Sequence, residues 1–192
     1  MPVRPEPDSA LIIVDVQNDF CAGGSLAVAD GDAVVPILND YARAFADAGR
    51  PVIATRDWHP ERTTHFSEFG GLWPRHCVMG TAGSEFHPDV VLPECALVLS
   101  KGMGENEDGY SGFDAVYRDG RSLAQVLFES GTRRLYVGGL ATDYCVMNTV
   151  LDARSHGLDV RVLLDAIRGV DLKSGDSDRA IDAMREAGAI VR

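Results

Sequence analysis

Short apolar runs alternate along the chain with longer segments whose apolar residues recur every three or four positions. Residues 10–16 are apolar apart from Asp15 and rich in β-branched side chains, which is typical of a strand buried on both faces of a parallel sheet. Residues 34–48 carry apolar side chains at the helical period, which predicts an amphipathic helix closed by Gly49. Further strands are predicted over residues 51–55, 96–100, 135–137, 159–164 and 189–191, and further helices around 123–127, over 143–156 and around 180–187.

This alternation of strands and helices predicts an α/β protein with a mainly parallel sheet and right-handed crossovers. Neither an internal repeat nor a low-complexity linker interrupts it. We therefore expect residues 1–192 to form a single domain.

The composition excludes several classes of partner. A net charge of −11 makes the chain a poor general binder of nucleic acid or of an anionic membrane, and no apolar stretch has the length of a membrane span. The first ten residues are polar and proline-rich, and the four cysteines have no C-x-x-C spacing. We expect reduced thiols in a cytoplasmic protein; the oligomeric state stays open, a homo-oligomer included.

Polar residues with useful chemistry follow four of the predicted strands. Asp15 ends the first strand, Asp57 and His59 follow the second, Lys101 follows the third, and a turn carrying Cys145 follows the fourth. The carboxyl ends of parallel strands lie along one edge of the sheet, where ligands of open α/β sheets bind. These side chains are therefore predicted to meet at one site.

The turn before the helix over residues 143–156 predicts a reactive cysteine. With Thr142 or Asp143 as N-cap, Cys145 lies in the first helical turn, where free N–H groups and the helix dipole favour a thiolate and can hold an oxyanion. Asp15 could take the thiol proton and return it to an amine leaving group, while Lys101 stabilises both anions. The alternatives are a buried structural thiol, a capping aspartate and a surface lysine.

The long segment over residues 56–94 carries four of the five histidines, and the first three of them are His59, His65 and His76. Asp57 and His59 are two residues apart, so in an extended segment they can share one ligand. Mixed carboxylate and imidazole donors suit a divalent zinc, iron or manganese ion. The alternative is a set of histidines that cap turns.

Aromatic residues are concentrated in the loops at this edge, and beside a metal they suggest a slot for a flat apolar ring. The alternative is that they form small hydrophobic clusters under the loops. The residues concerned are Phe20, Trp58, Phe66, Trp73, Tyr110 and Phe113.

Seven motifs follow one another along nearly the whole chain. They are D-V-Q-N-D-F from Asp15, D-W-H from Asp57, W-P-R-H-C-V-M-G-T from Trp73, E-F-H-P from Glu85, K-G from Lys101, Y-S-G-F from Tyr110 and G-G-L-A-T-D-Y-C-V from Gly138. In this order they resemble the nicotinamidase (pyrazinamidase) branch of the isochorismatase-like cysteine hydrolases. The resemblance implies a three-layer α/β/α sandwich with a mainly parallel six-stranded sheet. It also implies hydrolysis of a small aromatic amide, nicotinamide, to nicotinate and ammonia through a cysteine thioester.

The resemblance also implies roles for individual residues. Asp15, Lys101 and Cys145 match the catalytic triad, and the backbone N–H groups of Ala141 and Cys145, next to a cis Leu140–Ala141 bond, match the oxyanion site. The ligands of one divalent metal ion, which binds the pyridine-nitrogen side of the substrate, match Asp57, His59 and His76, with His65 matching a ligand found in part of the family. The ring pocket matches Phe20, Trp73 and Tyr110.

Three other functions remain open at this point. An amidase or carbamoyl hydrolase acting on another small amide would share the triad, although the Asp-x-His pattern favours a pyridine substrate. A vinyl-ether-cleaving isochorismatase would not need the cysteine. A non-catalytic metal- or nucleotide-binding module would not need the cysteine, carboxylate and lysine together. Residues 102–109 form a loop that is longer and more acidic than in compact relatives, which leaves its role and that of Tyr110 open.

Overall fold

Seven strands form one sheet in the order β4-β3-β2-β1-β5-β6-β7, in a computed structural model that describes residues 4–192. The strands are β1 (Ser9–Val14), β2 (Val52–Asp57), β3 (Leu97–Lys101), β4 (Val116–Tyr117), β5 (Arg134–Leu140), β6 (Asp159–Arg168) and β7 (Ile190–Val191). The helices are α1 (Val34–Asp47), α2 (Leu123–Glu129), α3 (Met147–Ser155) and α4 (Asp176–Glu186). None of the helices in this part of the chain combines the length and apolar character needed to cross a membrane.

The sequence predicted six strands, whereas the sheet has seven. Six strands do run parallel, but β4 adds an antiparallel edge, in which Tyr117 pairs with Leu99 and Val116 with Ser100 of β3. Strand β4 has only two residues, so it is too short to produce a recognisable alternation in the sequence.

The continuous apolar run of β1 is explained by helices on both faces of the sheet. Ile12 and Val14 pack into a core with α2, α3 and α4, whereas Leu11 and Ile13 face the opposite core with α1. Alternate side chains of a strand point to opposite faces, so a central strand covered on both sides must be apolar throughout. The three-layer α/β/α architecture is confirmed.

Strands β1 and β5 are neighbours although three strands and two helices, α1, β2, β3, β4 and α2, separate them in sequence. The chain builds outward from β1 through β2 to β3, and then returns to place β5 on the other side of β1. This reversal creates a topological switch point, and open α/β sheets bind ligands outside the strand ends at such a point.

The segment after β5 differs from the predicted helix start. A turn of π-helix, Thr142–Val146, precedes α3. Its N-cap residue is Ala141, and no side chain forms a capping hydrogen bond there. The prediction of Thr142 or Asp143 as N-cap is therefore wrong. The carboxylate of Asp143 instead accepts the backbone N–H groups of Val170 and Asp171 at 2.9 and 2.8 Å. Asp143 therefore makes a tertiary contact with the segment after β6 instead of capping the helix. The Leu140–Ala141 peptide bond is cis.

Candidate active site

Asp15, Lys101 and Cys145 converge at the carboxyl edge of the sheet. The Nζ atom of Lys101 lies 2.7 Å from Oδ2 of Asp15 and 3.5 Å from Sγ of Cys145. All three side chains are buried. Asp15 directly follows β1, Lys101 is the last residue of β3, and Cys145 lies in the turn after β5, so the strand ends deliver the three groups to one point.

Asp15 is held in place by its backbone and by the neighbouring strand. Its φ of 48° lies in the left-handed region, which aspartate tolerates better than most residues, and it turns the chain away from β1. The hydroxyl of Thr55 donates to Oδ1 of Asp15 at 2.7 Å. This leaves Oδ2 for Lys101 and the thiol side of the site.

Lys101 is surrounded by acceptors that keep it charged. Besides Asp15, its ammonium group pairs with Oδ1 of Asp57 and donates to the carbonyl of Gly109 at 2.6 Å. Burial alone would lower the pKa of Lys101, but Asp15 and Asp57 outweigh it and raise that pKa well above its ordinary value. A permanent positive charge therefore stands between the carboxylates and the thiol.

Burial of Cys145 favours the protonated form of its thiol. Burial raises the pKa of Cys145 well above its ordinary value, and the nearby Lys101 ammonium offsets only part of the effect. Burial also raises the pKa of Asp15, against the opposing influence of Lys101. A base with raised proton affinity lies beside the thiol to take its proton.

Three imidazole rings cluster next to this triad. Donor atoms of His59, His65 and His76 all lie within 4.8 Å of one another, and all three rings are buried. The Nδ1 atom of His59 donates to the carbonyl of Gly102 at 2.9 Å and that of His76 to the carbonyl of Pro74 at 2.8 Å, because a carbonyl can only accept. These bonds place the lone pair of each ring on Nε2.

Asp57 completes a donor set for a divalent cation. Its Oδ2 atom lies 3.8 Å from Nε2 of His59 and 4.0 Å from Nε2 of His76. Two donors that each lie about 2.1 Å from one ion can be at most about 4.2 Å apart, so these separations suit shared ligation. The Nε2 atom of His59 is buried and has no hydrogen-bond partner among residues 4–192, and a bound ion would satisfy it. The residues therefore fit a divalent metal.

The protonation states also suit metal binding. Burial lowers the pKa of His76 to about 4 and lowers that of His65, so both rings are neutral near pH 7. Burial alone would raise the pKa of Asp57, but Lys101 and His59 overcome it and hold that pKa below its usual range. Neutral imidazoles and an ionised carboxylate are the forms that coordinate a metal.

An aromatic cleft connects the histidines with the cysteine. Its walls include Phe20, Trp73 and Tyr110, the three residues predicted for the ring pocket. The indole Nε1 of Trp73 donates to the hydroxyl of Tyr110 at 2.9 Å and fixes two of the walls. Ala141 and Cys145 line the same cleft, and the carbonyl of Ala141 accepts N–H groups from the following turn, so its position is fixed.

The other loop aromatics do not line this cleft. Phe66 packs edge-on against the ring of His59, with 5.5 Å between the ring centroids, and so supports the metal donors from behind. Trp58 lies under the guanidinium of Arg56 at 3.7 Å, and Phe113 stacks on His156 with 4.7 Å between centroids. These three residues therefore do not form part of the ring pocket.

Sequence reasoning missed several residues of the site. Leu26, Tyr144 and Val170 also line the cleft. Tyr144 could have been found, since it precedes Cys145, whereas Val170 is brought in only by the tertiary contact with Asp143.

Gln17 was also missed, although it lies in the motif that begins at Asp15. Its Oε1 accepts the N–H of Asp57, and its Nε2 donates to the carbonyls of Asp57 and Ser84, each at 2.8 Å. Gln17 therefore fixes the backbone of Asp57, one of the candidate metal donors.

The fold is a doubly wound sheet, and a buried cysteine, lysine and aspartate meet at the carboxyl ends of its strands. The chain belongs to the isochorismatase family, whose model, described as an isochorismatase domain, matches residues 9–192.

Three similar proteins cover nearly the whole chain. The chain is 43% identical to a nicotinamidase/pyrazinamidase of Mycobacterium tuberculosis over 93% of this chain and 95% of that protein. It is 40% identical to a nicotinamidase of Escherichia coli over 96% of this chain and 94% of that protein. The structure of a pyrazinamidase of Pyrococcus horikoshii in complex with zinc superposes with a TM-score of 0.89 at 45% identity, covering 97% of this chain and 99% of that one.

Proposed function

We propose that this protein is a nicotinamidase that hydrolyses nicotinamide to nicotinate and ammonia, and that it also accepts pyrazinamide. The observation that carries the proposal is one aromatic cleft whose wall contains Cys145 and three of the proposed metal donors, Asp57, His65 and His76. The similar nicotinamidases and pyrazinamidases support it.

The walls of the cleft have the chemistry that suits a flat aromatic ring. Phe20, Trp73 and Tyr110 offer apolar surface to its faces, and the cluster of Asp57, His59, His65 and His76 would hold the metal, which we propose to be zinc, iron or manganese. A bound divalent ion would supply a positive anchor for the pyridine nitrogen. The carboxamide would then lie toward Cys145.

The residues of the triad suffice for covalent catalysis. Asp15 takes the proton of Cys145, and Lys101, whose Nζ atom lies 2.7 Å from Oδ2 of Asp15 and 3.5 Å from Sγ of Cys145, stabilises the resulting thiolate. The thiolate attacks the amide carbon, and the N–H groups of Ala141 and Cys145 hold the oxyanion.

Breakdown of this adduct completes the reaction. Asp15 returns its proton to the leaving nitrogen, the C–N bond breaks and ammonia departs, which leaves a thioester on Cys145. Asp15 then removes a proton from water, which attacks the thioester carbonyl. The C–S bond breaks, nicotinate is released and the thiol regains its proton.

A panel of amides assayed with the purified, metal-loaded protein tests this proposal. Ammonia release is expected from nicotinamide and pyrazinamide, and at a rate lower by at least about 100-fold from benzamide, which lacks the ring nitrogen. Pretreatment with a chelator or with a thiol alkylator should abolish it. Faster hydrolysis of an N-carbamoyl compound or an aliphatic amide would instead identify a different amidase of the same family.

The four cysteines are all free thiols, as suits a reducing compartment, and this supports a cytoplasmic location. A homo-oligomer remains a proposal that light scattering would test.

A further inference from the structure

The acidic loop over residues 102–109 contacts both halves of the site. At its ends, the carbonyl of Gly102 accepts Nδ1–H of His59 at 2.9 Å and the carbonyl of Gly109 accepts Nζ–H of Lys101 at 2.6 Å. In its middle, the carbonyl of Glu105 accepts the N–H of Thr64, the residue before His65, at 2.8 Å. The loop therefore forms part of the support of the metal donors.

The loop is tightly seated at both ends. Gly102 has a φ of +65°, and a Cβ atom there would lie 2.5 Å from the ring of His59. Gly109 has a φ of +67°, and its Cβ would lie 2.6 Å from the backbone of Gly102. Only glycine allows this close approach. The backbone of the loop is therefore fixed at both ends, one of which adjoins Asp108.

His65 differs from the other two histidines in its hydrogen-bond acceptor. His59 and His76 donate Nδ1–H to backbone carbonyls, whereas Nδ1 of His65 donates to Oδ1 of Asp108 at 3.1 Å. The imidazole is almost fully buried, with 4% of its side chain exposed, whereas 68% of the Asp108 side chain is exposed. One buried metal donor thus depends on an exposed side-chain carboxylate rather than on a backbone carbonyl.

We propose that Asp108 is a positioning residue that recruits His65 as a metal ligand. Its carboxylate holds the proton on Nδ1 and turns Nε2 of His65 toward the ion, as outer-shell carboxylates do in histidine metal sites. Asp108 is the only acceptor for the His65 ring among residues 4–192, so without it no described residue selects this orientation, and the ion is left to Asp57, His59 and His76. The inference rests on the metal site of the proposed function but not on the substrate.

Zinc release from the loaded protein into a chelating indicator tests the role of Asp108. Asp108→Ala is expected to release zinc at least about tenfold faster than the wild type, and Asp108→Glu to restore retention to within about threefold. Glu105→Gln is the matched control, because it removes one negative charge from the same loop and its carboxylate has no hydrogen-bond partner among the described residues. Release from Asp108→Ala that is no faster than from Glu105→Gln would overturn the proposal.

A double-mutant cycle shows whether Asp108 acts through His65. In a His65→Ala background, Asp108→Ala should change zinc release by less than about twofold, because the ligand it orients is already absent. A tenfold effect that persists in this background would overturn the proposal. The visible absorption of the cobalt-loaded Asp108→Ala protein should likewise resemble that of His65→Ala. No amide is present in these measurements, so their outcome is independent of whether the protein hydrolyses nicotinamide.

Discussion

Asp57 and Lys101 are register partners at the carboxyl ends of β2 and β3, and their side chains form a buried ion pair. One oxygen of the Asp57 carboxylate faces the ammonium group, while the other faces His59 and His76. A single carboxylate therefore joins the proposed triad to the proposed metal centre, so the two parts of the site keep a constant separation.

Replacing Asp57 by asparagine should separate its contact with Lys101 from its role as a metal ligand. The amide can still accept from Lys101, but it is a weak metal ligand, so metal affinity should fall by more than about tenfold. Metal analysis after dialysis, together with ammonia release, measures the change. Asp47→Asn, at the exposed end of α1, is the control, and equal metal content in the two variants would contradict the assignment.

Lys101→Met should destabilise the protein as well as inactivate it. The substitution leaves Asp15 and Asp57 buried without their shared cation, which costs about 3–5 kcal/mol in the free energy of unfolding. Urea denaturation measures the loss. Lys173→Met, which removes the other lysine of the chain from an exposed position, should leave stability within about 0.5 kcal/mol. Similar stability of the two variants would show that the buried lysine is not needed as a charge.

Cys145→Ala should remove turnover and little else. The thiol is the proposed nucleophile, so kcat should fall by at least about 10⁴-fold. Metal content and nicotinamide binding should remain, because the histidines and the aromatic walls are unchanged. Cys95→Ala, at an exposed free cysteine, should keep full activity. Appreciable turnover by Cys145→Ala, seen in a discontinuous ammonia assay, would exclude a covalent mechanism.

Asp143→Ala should weaken substrate binding in the cleft more than it slows the chemical step. Its buried carboxylate holds the N–H groups of Val170 and Asp171, and leaving these donors without their acceptor costs about 1–3 kcal/mol in the free energy of unfolding. Because Val170 lines the cleft, KM should rise more than kcat falls. Asp143→Asn keeps one acceptor oxygen and should show a smaller effect in steady-state kinetics and thermal unfolding. A fall in kcat at unchanged KM would assign Asp143 to the chemical step instead.

Local patterns predicted the elements that are long and regular. The uninterrupted apolar run of β1 and the helical period of α1 each reflect contacts along one element, and both elements lie close to where they were expected. Strand β4 was missed because two residues carry no period; β7 is equally short and was indicated only by the apolar residues that follow the predicted last helix. The N-cap of the helix after β5 was wrong because Asp143 bonds to a distant loop, which a local pattern does not contain.

What the sequence by itself determined is the set of reactive groups and the edge at which they meet. Parallel strands place their carboxyl ends together, so Asp15, Lys101 and Cys145 could be assigned to one site without coordinates. Only the tertiary structure decided how the groups are connected. The pairing of Asp57 with Lys101 depends on the register of two strands, and the contact of His65 with Asp108 joins loops 43 residues apart. Register and loop packing arise from contacts between elements, and such contacts leave no periodic trace in the chain.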